Sequence, residues 1–370
     1  MATNNVINNA FGDNYTAPNK VSKNAIIGGD FSLNPWQRGT SVSVVTGTTN
    51  YLADRFNCNS QSTLGVATYS KFADAPTSTE AQYFTTNCMK FEVTAASGAP
   101  AAADFFRVVQ NIEGYNFAAL AQRPFTISFW AKTNKIGTYC ISVRSTSLDN
   151  NYIAEYTMNV INTWEFKSIT IPASPSTGTW DYINGIGLRV NFTMANGATN
   201  FSPPNVWASG NNIATSNQVN LLDTIGNTFQ FALIQVEPGS VATPFEQRSI
   251  QETLSACQRY YFKTFPQGTT PVQNVGNYTD APAYRVTVAG ISAQAQQLFF
   301  PVTMRAAPTM TYYNPLNTNS LWRNVSTPGD SGASSTLEVG DASVHIGNAQ
   351  AVSDPVSSGV FIHATASAEL

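Results

Sequence analysis

The sequence predicts an all-β protein: a jelly-roll β-sandwich, a short amphipathic linker helix, then a smaller C-terminal antiparallel β-sandwich. Three observations predict it. Short apolar runs rich in β-branched and aromatic residues recur along the chain between Gly, Pro, Asn and Ser clusters, the mark of many short strands joined by turns. Convincing helical periodicity is confined to one stretch near residue 250. Charged residues make up 11% of the 370, against ~25% in ordinary soluble domains. Asn, Thr, Ser and Gln take their place and suit the solvent faces of sheets.

Residues 1–23 are Asn-rich and lack periodicity, so they cannot bury enough surface to fold alone. They read either as a frayed terminus or as an attachment segment that orders on a partner, with Val6, Ile7, Phe11 and Tyr15 as docking anchors. The first domain is expected over 24–248. Its candidate strands lie at 25–27, 41–45, 65–69, 89–94, 105–111, 125–132, 139–145, 166–172, 186–192 and 229–236. Alternation is clearest at 125–132, where Phe125, Ile127, Phe129 and Ala131 share one face and Thr126, Ser128, Trp130 and Lys132 the other. Residues 193–218 form a long polar insertion stiffened by Pro203-Pro204, and loops of that length are commonly functional. Ser249 with Glu252 three residues on fits a capping box. Ile250, Leu254, Cys257 and Tyr261 follow as one apolar stripe, predicting a helix over 249–263 within a 249–265 linker. The second domain, 266–370, has candidate strands at 284–291, 297–302, 309–314, 335–339, 343–346 and 359–366.

Catalytic chemistry finds little support. The two histidines, His345 and His363, read as strand residues with local hydrogen bonds, and no G-x-S-x-G elbow, H-E-x-x-H or P-loop is present. Asp54, Asp104, Glu113, Glu155, Asp181, Glu237 and Glu246 are dispersed, with no D-x-D or E-x-x-E pairing. The protein is therefore expected not to be an enzyme. Cys58, Cys88, Cys140 and Cys257 are scattered without a C-x-x-C pair, which rejects a zinc knuckle. They read as four buried thiols, with a Cys58–Cys88 bridge as the alternative. A net charge of −3 provides no basic field for nucleic acid. No apolar run approaches the ~20 residues of a membrane span, and the N-terminus lacks a signal-peptide pattern. Saccharide binding asks for exposed aromatics beside amides and carboxylates. Trp180, Asp181, Tyr182 and Trp207 are the candidates in the first domain, and Tyr312, Tyr313, Trp322 and Arg323 in the second.

The stretch QVEPGSVATPFEQRS…LSACQRYYFK, residues 235–263, resembles a segment of many bacteriophage tail-fibre and virion structural proteins. There a variant of QLE-G-ATPFE-R precedes L-CQRYY. Further stretches follow in the family's order: GGDFSLNPWQRG at 28–39 with YLADRF at 51–56, FPVTMRAAP at 300–308, and ATASAEL at 364–370. The resemblance implies a homotrimeric virion fibre, placed on the tail, assembled in a host cytoplasm and joined to other virion proteins through its N-terminus. It would adhere to host-surface polysaccharide without cleaving it. A purely structural head or tail decoration protein is one alternative, and a polysaccharide-cleaving tailspike the other. IIGGDFSLNPW also resembles the opening of jelly-roll carbohydrate-binding modules, which implies Asp30 as a candidate ligand of a structural Ca²⁺; no other cofactor is expected. Within the resembled stretches, Asp54 and Arg248 are expected to pair where the ends of the first domain meet.

Overall fold

The computed structural model describes residues 23–44, 46–47, 49–61, 65–285, 294–326, 329–348 and 359–370. The attachment candidates Val6, Ile7, Phe11 and Tyr15 lie outside them. The first unit contains β1 (Ser41–Val44), β2 (Thr49–Tyr51), β3 (Phe56–Ser60), β4 (Val66–Phe72), β5 (Cys88–Ala95), β6 (Phe105–Glu113), β7 (Phe125–Thr133), β8 (Gly137–Arg144), β9 (Asn150–Met158), β10 (Glu165–Ile171), β11 (Ile186–Asn196), β12 (Trp207–Ser209) and β13 (Thr228–Pro238). They form two antiparallel sheets, β1-β4-β5-β13-β7-β10 and β12-β9-β8-β11-β6-β3-β2. The chain passes repeatedly from one sheet to the other, as a jelly-roll sandwich requires.

Alternation fills the space between the sheets. Phe125, Ile127, Phe129 and Ala131 enter the core as their spacing predicts, and Trp130 joins a separate cluster on the outer face. The core is aromatic-rich: Phe129, Phe192 and Phe231 meet with ring centroids 5.1–6.0 Å apart. Residues 25–27 are not a strand. They run as extended coil beside β13, with the Ala25 N–H donating to the Val236 carbonyl at 2.8 Å. Gly29 next to them is dictated by space, because a Cβ there would lie 2.1 Å from the Ile234 carbonyl oxygen.

The helix spans Ile250–Gln258 and carries the expected capping box, with Ser249 and Glu252 satisfying each other's amides. It is shorter than the sequence suggests, because Tyr261–Lys263 pairs as strand β14 with β22. Of the expected stripe, Cys257 and Tyr261 are buried, Leu254 is half-buried and Ile250 is exposed. Thr253 is buried as well, an inner position that an apolar pattern does not mark.

The second unit comprises β14 (Tyr261–Lys263), β15 (Ala283–Arg285), β16 (Gln294–Phe299), β17 (Thr309–Tyr313), β18 (Leu321–Asn324), β19 (Gly329–Val339), β20 (Ser343–Asn348), β21 (Gly359–Phe361) and β22 (His363–Ser367). Its two sheets, β14-β22-β17 and β15-β21-β18-β19-β20-β16, enclose a core around Met304, Trp322, Ile346, Val360 and Ile362. All four cysteines are free and buried, so the Cys58–Cys88 bridge does not form. Among the described residues, no helix is long and apolar enough to cross a membrane.

The two units meet at a charged seam. Glu369 bridges Arg38, at 2.9 Å, and Arg55. Asp54 accepts from the Gln37 amide at 2.9 Å and pairs with Arg38 at 3.4 Å. Glu113, 2% exposed, takes a two-pronged contact from Arg259, 2.9 and 2.6 Å, and the Tyr260 hydroxyl. The guanidinium carbons of Arg55 and Arg38 sit 3.5 and 3.6 Å from the ring centres of Tyr260 and Tyr261. Arg248 instead holds Glu246 and the Asn24 and Ile26 carbonyls. The expected Asp54–Arg248 pair is thus replaced by Asp54–Arg38. Residues of 51–56, 257–261 and 364–370 converge here.

Candidate functional site: the outer face of the seven-stranded sheet

Strand alternation builds this face. Phe106, Val108 and Ile112 of β6 join the core, which turns Arg107, Val109 and Asn111 outward. In β11, Leu188, Val190 and Phe192 point inward, leaving Arg189, Asn191 and Thr193 outside. In β8, Tyr139, Ile141 and Val143 are inside and Cys140, Ser142 and Arg144 outside; in β9, Tyr152, Ala154 and Tyr156 oppose Asn151, Ile153 and Glu155. The registers align these residues across four strands. Asn151, Arg144, Arg189 and Asn111 form one row, and Ile153, Ser142, Asn191 and Val109 the next. Glu155, Cys140, Thr193 and Arg107 make a third.

The polar insertion roofs part of this face. Asn211 accepts from Arg144 Nη1, and the Ile213 carbonyl accepts from Thr193 Oγ1 at 2.9 Å. Phe201 and Ala214 pack on Cys140 and Ile153. Asn151 Nδ2 donates to the Ala208 and Gly210 carbonyls at 3.1 and 2.8 Å. On the other flank, Asn111 Nδ2 and the Tyr51 hydroxyl donate to the Leu370 oxygen at 2.8 and 3.2 Å. Arg107 and Arg189 lie between the flanks, partly open to solvent.

Six buried side-chain atoms of these three rows have no hydrogen-bond partner: Asn151 Oδ1, Arg144 Nε, Arg189 Nε, Asn111 Oδ1, Ser142 Oγ and Arg107 Nε. An unsatisfied buried polar atom costs ~1–3 kcal/mol, so these six mark a polar cluster whose hydrogen-bonding capacity the described residues do not fill. Burial and the neighbouring Arg189 charge lower Arg107 to about 10. Burial, then the charges of Arg107 and Arg189, hold Arg144 well below the usual arginine range. Burial also lowers Arg189.

The sequence candidates divide. Trp180, Asp181, Tyr182 and Trp207 gather at one rim of the sandwich. Trp180 lies 5.2 Å from Phe117 and 6.0 Å from Trp207, and Tyr182 lies 5.8 Å from Phe117. Tyr182 is 40% exposed, whereas Trp180 and Trp207 are partly buried against the core. Asp181 Oδ1 caps its own loop, accepting from the Ile183 and Gly185 amides at 2.7 and 3.1 Å. Thr146 joins rim to face: its hydroxyl receives the Asp181 N–H at 3.0 Å and its carbonyl receives Arg189 Nη2 at 3.3 Å.

The second-unit candidates do not form an exposed cluster. Trp322 is fully buried with its indole N–H on the Gly347 carbonyl at 3.2 Å, and Tyr312 is buried with its hydroxyl 2.7 Å from Thr336 Oγ1. Tyr313 packs edge-on against Phe265, and Arg323 pairs with Asp330 at 3.2 Å. Their polar sequence neighbours suggested a loop, but β18 is a strand too short for its alternation to show. Asp30 is buried, with its carboxylate accepting from the Ser32 amide, the Thr85 hydroxyl and the Tyr83 hydroxyl, each at 2.9 Å. No cluster of three or more metal-ligating side chains occurs among the described residues.

The carboxylates considered for catalysis are engaged separately. Asp54 and Glu113 belong to the seam. Glu155 accepts from Asn217 at 3.1 Å, and Glu237 from the Thr243 amide at 2.8 Å. Asp104 accepts from the Ala101 amide at 2.9 Å, and Glu246 from the Asn24 amide at 2.7 Å. His363 is buried on β22, while His345 lies near Glu338 in the other sheet, so they share no site.

No known protein-family description matches the chain, and no curated protein matches it. Solved structures do. A module named TmCBM61, in complex with β-1,4-galactotriose, matches at 11% identity over 52% of this chain and 100% of its own, with a TM-score of 0.27. A family 11 carbohydrate-binding module from Clostridium thermocellum, in complex with a β-1,3-1,4-mixed-linked tetrasaccharide, matches at 13% identity. It covers 55% of this chain and 99% of its own, with a TM-score of 0.29.

Proposed function

We propose that this protein is a non-catalytic saccharide-binding fibre protein of a virion, and that its ligand lies on the outer face of the seven-stranded sheet. The observation that carries the reading is the set of six unpartnered polar atoms in three adjacent rows. Guanidinium N–H groups donate and amide oxygens accept, and Ser142 does either, a mixture suited to sugar hydroxyls. Tyr182 and Trp180 at the adjoining rim supply ring surface for a second sugar unit. Separate engagement of the carboxylates favours binding over bond cleavage, since glycoside hydrolysis asks for two acting together. The resemblance to tail-fibre proteins supports the virion setting, a homotrimeric assembly and attachment through the N-terminal segment. Several weak sites on one particle would then hold a host surface by avidity.

A glycan panel probed with purified full-length protein tests the reading. Binding is expected, with Arg189→Gln weakening it about tenfold or more while melting stays unchanged. Absence of binding to every glycan would overturn it. The convergence of the resembled stretches on the seam favours a second reading, a structural decoration protein with no receptor. Particles bearing Arg189→Gln that adsorb normally to host cells would support that reading instead.

A further inference from the structure

We infer that the sheet face selects acidic saccharides, with a sugar carboxylate received by Arg107 and Arg189 beside Arg144; this rests on the saccharide reading of that face. The three arginines form no ion pair among the described residues, although the chain as a whole has more acidic than basic residues, 22 against 19. Arg144 and Arg189 stand directly opposite each other on neighbouring strands, an arrangement that like charges disfavour. The acids of the same face have other partners: Glu113 is held by Arg259, and Glu155 by Thr215 and Asn217. Among the described residues no carboxylate therefore neutralises this charge, and a bound anion would.

The shape of the free donors identifies the anion. Arg144 spends both terminal nitrogens, on Asn211 and on Asn191, the latter at 2.9 Å, and keeps only Nε free. Arg189 spends one terminal nitrogen on the Thr146 carbonyl and keeps Nε. Arg107 Nε is also free, while its guanidinium carbon lies 4.4 Å from the Phe105 ring centre. An Nε–H with its neighbouring terminal N–H makes the planar fork that fits a carboxylate. The amides argue against a bare inorganic anion. Asn111 and Asn151 are oriented by their own Nδ2 bonds, so each presents Oδ1 as an acceptor. Acceptors need hydroxyl donors, which a uronic or other sugar acid has and a sulfate ion lacks.

A printed panel that pairs each acidic glycan with its carboxyl-reduced counterpart separates the possibilities, using the full-length protein. The acidic member of at least one pair is expected to bind about tenfold or more tighter than its neutral partner. Arg189→Gln is expected to weaken the acidic members more than their neutral partners and so to remove that preference. Should Arg189→Gln fail to fold by its melting curve, Arg107→Gln serves the same purpose. Equal binding of acidic and neutral partners throughout overturns this inference and leaves the saccharide reading intact. No binding to any member overturns both.

Discussion

His363 lies face to face with Phe265, ring centroids 4.1 Å apart, and its Nδ1 is 3.1 Å from the Thr264 hydroxyl. Burial lowers its pKa from the usual 6.5, more than the nearby Asn277 carbonyl and Asp280 raise it. The unfolded chain then binds this proton more readily than the folded one. Stability is expected to be intact above pH 6.5 and to decline as pH falls below it. Comparing unfolding of the protein and of His363→Gln between pH 5 and 8 checks this: the variant should show a smaller loss on acidification. The residue scale is also where the sequence was least legible. Trp322 sits among Asn, Ser and Arg, a context that reads as an exposed loop, and it is instead a fully buried side chain of the second core. Arg107, Arg144 and Arg189 each look like ordinary solvent-facing residues of alternating strands. Their grouping depends on cross-strand register, which no single stretch of sequence contains.

Elements with strong local chemistry were legible. The capping box at Ser249 and Glu252 needs only residues three apart, and it forms as its spacing predicts. Ser249→Ala is expected to lower stability by about 1 kcal/mol, measured by denaturant unfolding; Ser249→Asp should retain most of the stability, because aspartate caps as well. The long alternation of β7 was equally plain, whereas β3, β9 and β18 were missed. Each of these carries Asn or Ser amid its apolar residues, which blurs the period-2 signal that marks a strand. The helix's inner face was read only in part for a related reason: Cys257 is buried as expected, but Thr253 is buried too. Thr253 is buried because its hydroxyl donates to the Ser249 carbonyl at 3.0 Å, a local bond that hides its polarity.

At the scale of the molecule, the two-unit β architecture followed from composition and turn spacing, but the seam between the units did not. Its ion pairs join residues too distant in sequence for any periodicity to reveal. Glu369 is nearly buried between Arg38 and Arg55, and removing one partner of such a group typically costs ~3–5 kcal/mol. Glu369→Gln is therefore expected to lower stability by about 3 kcal/mol and to split a single calorimetric transition into two. One unaltered transition would show that the seam does not couple the units. Arg38 and Glu369 are 331 residues apart in the chain, which bears on synthesis at the ribosome. Arg38, Tyr51 and Arg55 emerge long before their partner exists, so the first unit must persist with that edge open to water. Closure waits until residue 369 has been made and is high in contact order, so nascent chains caught before it are where aggregation would begin.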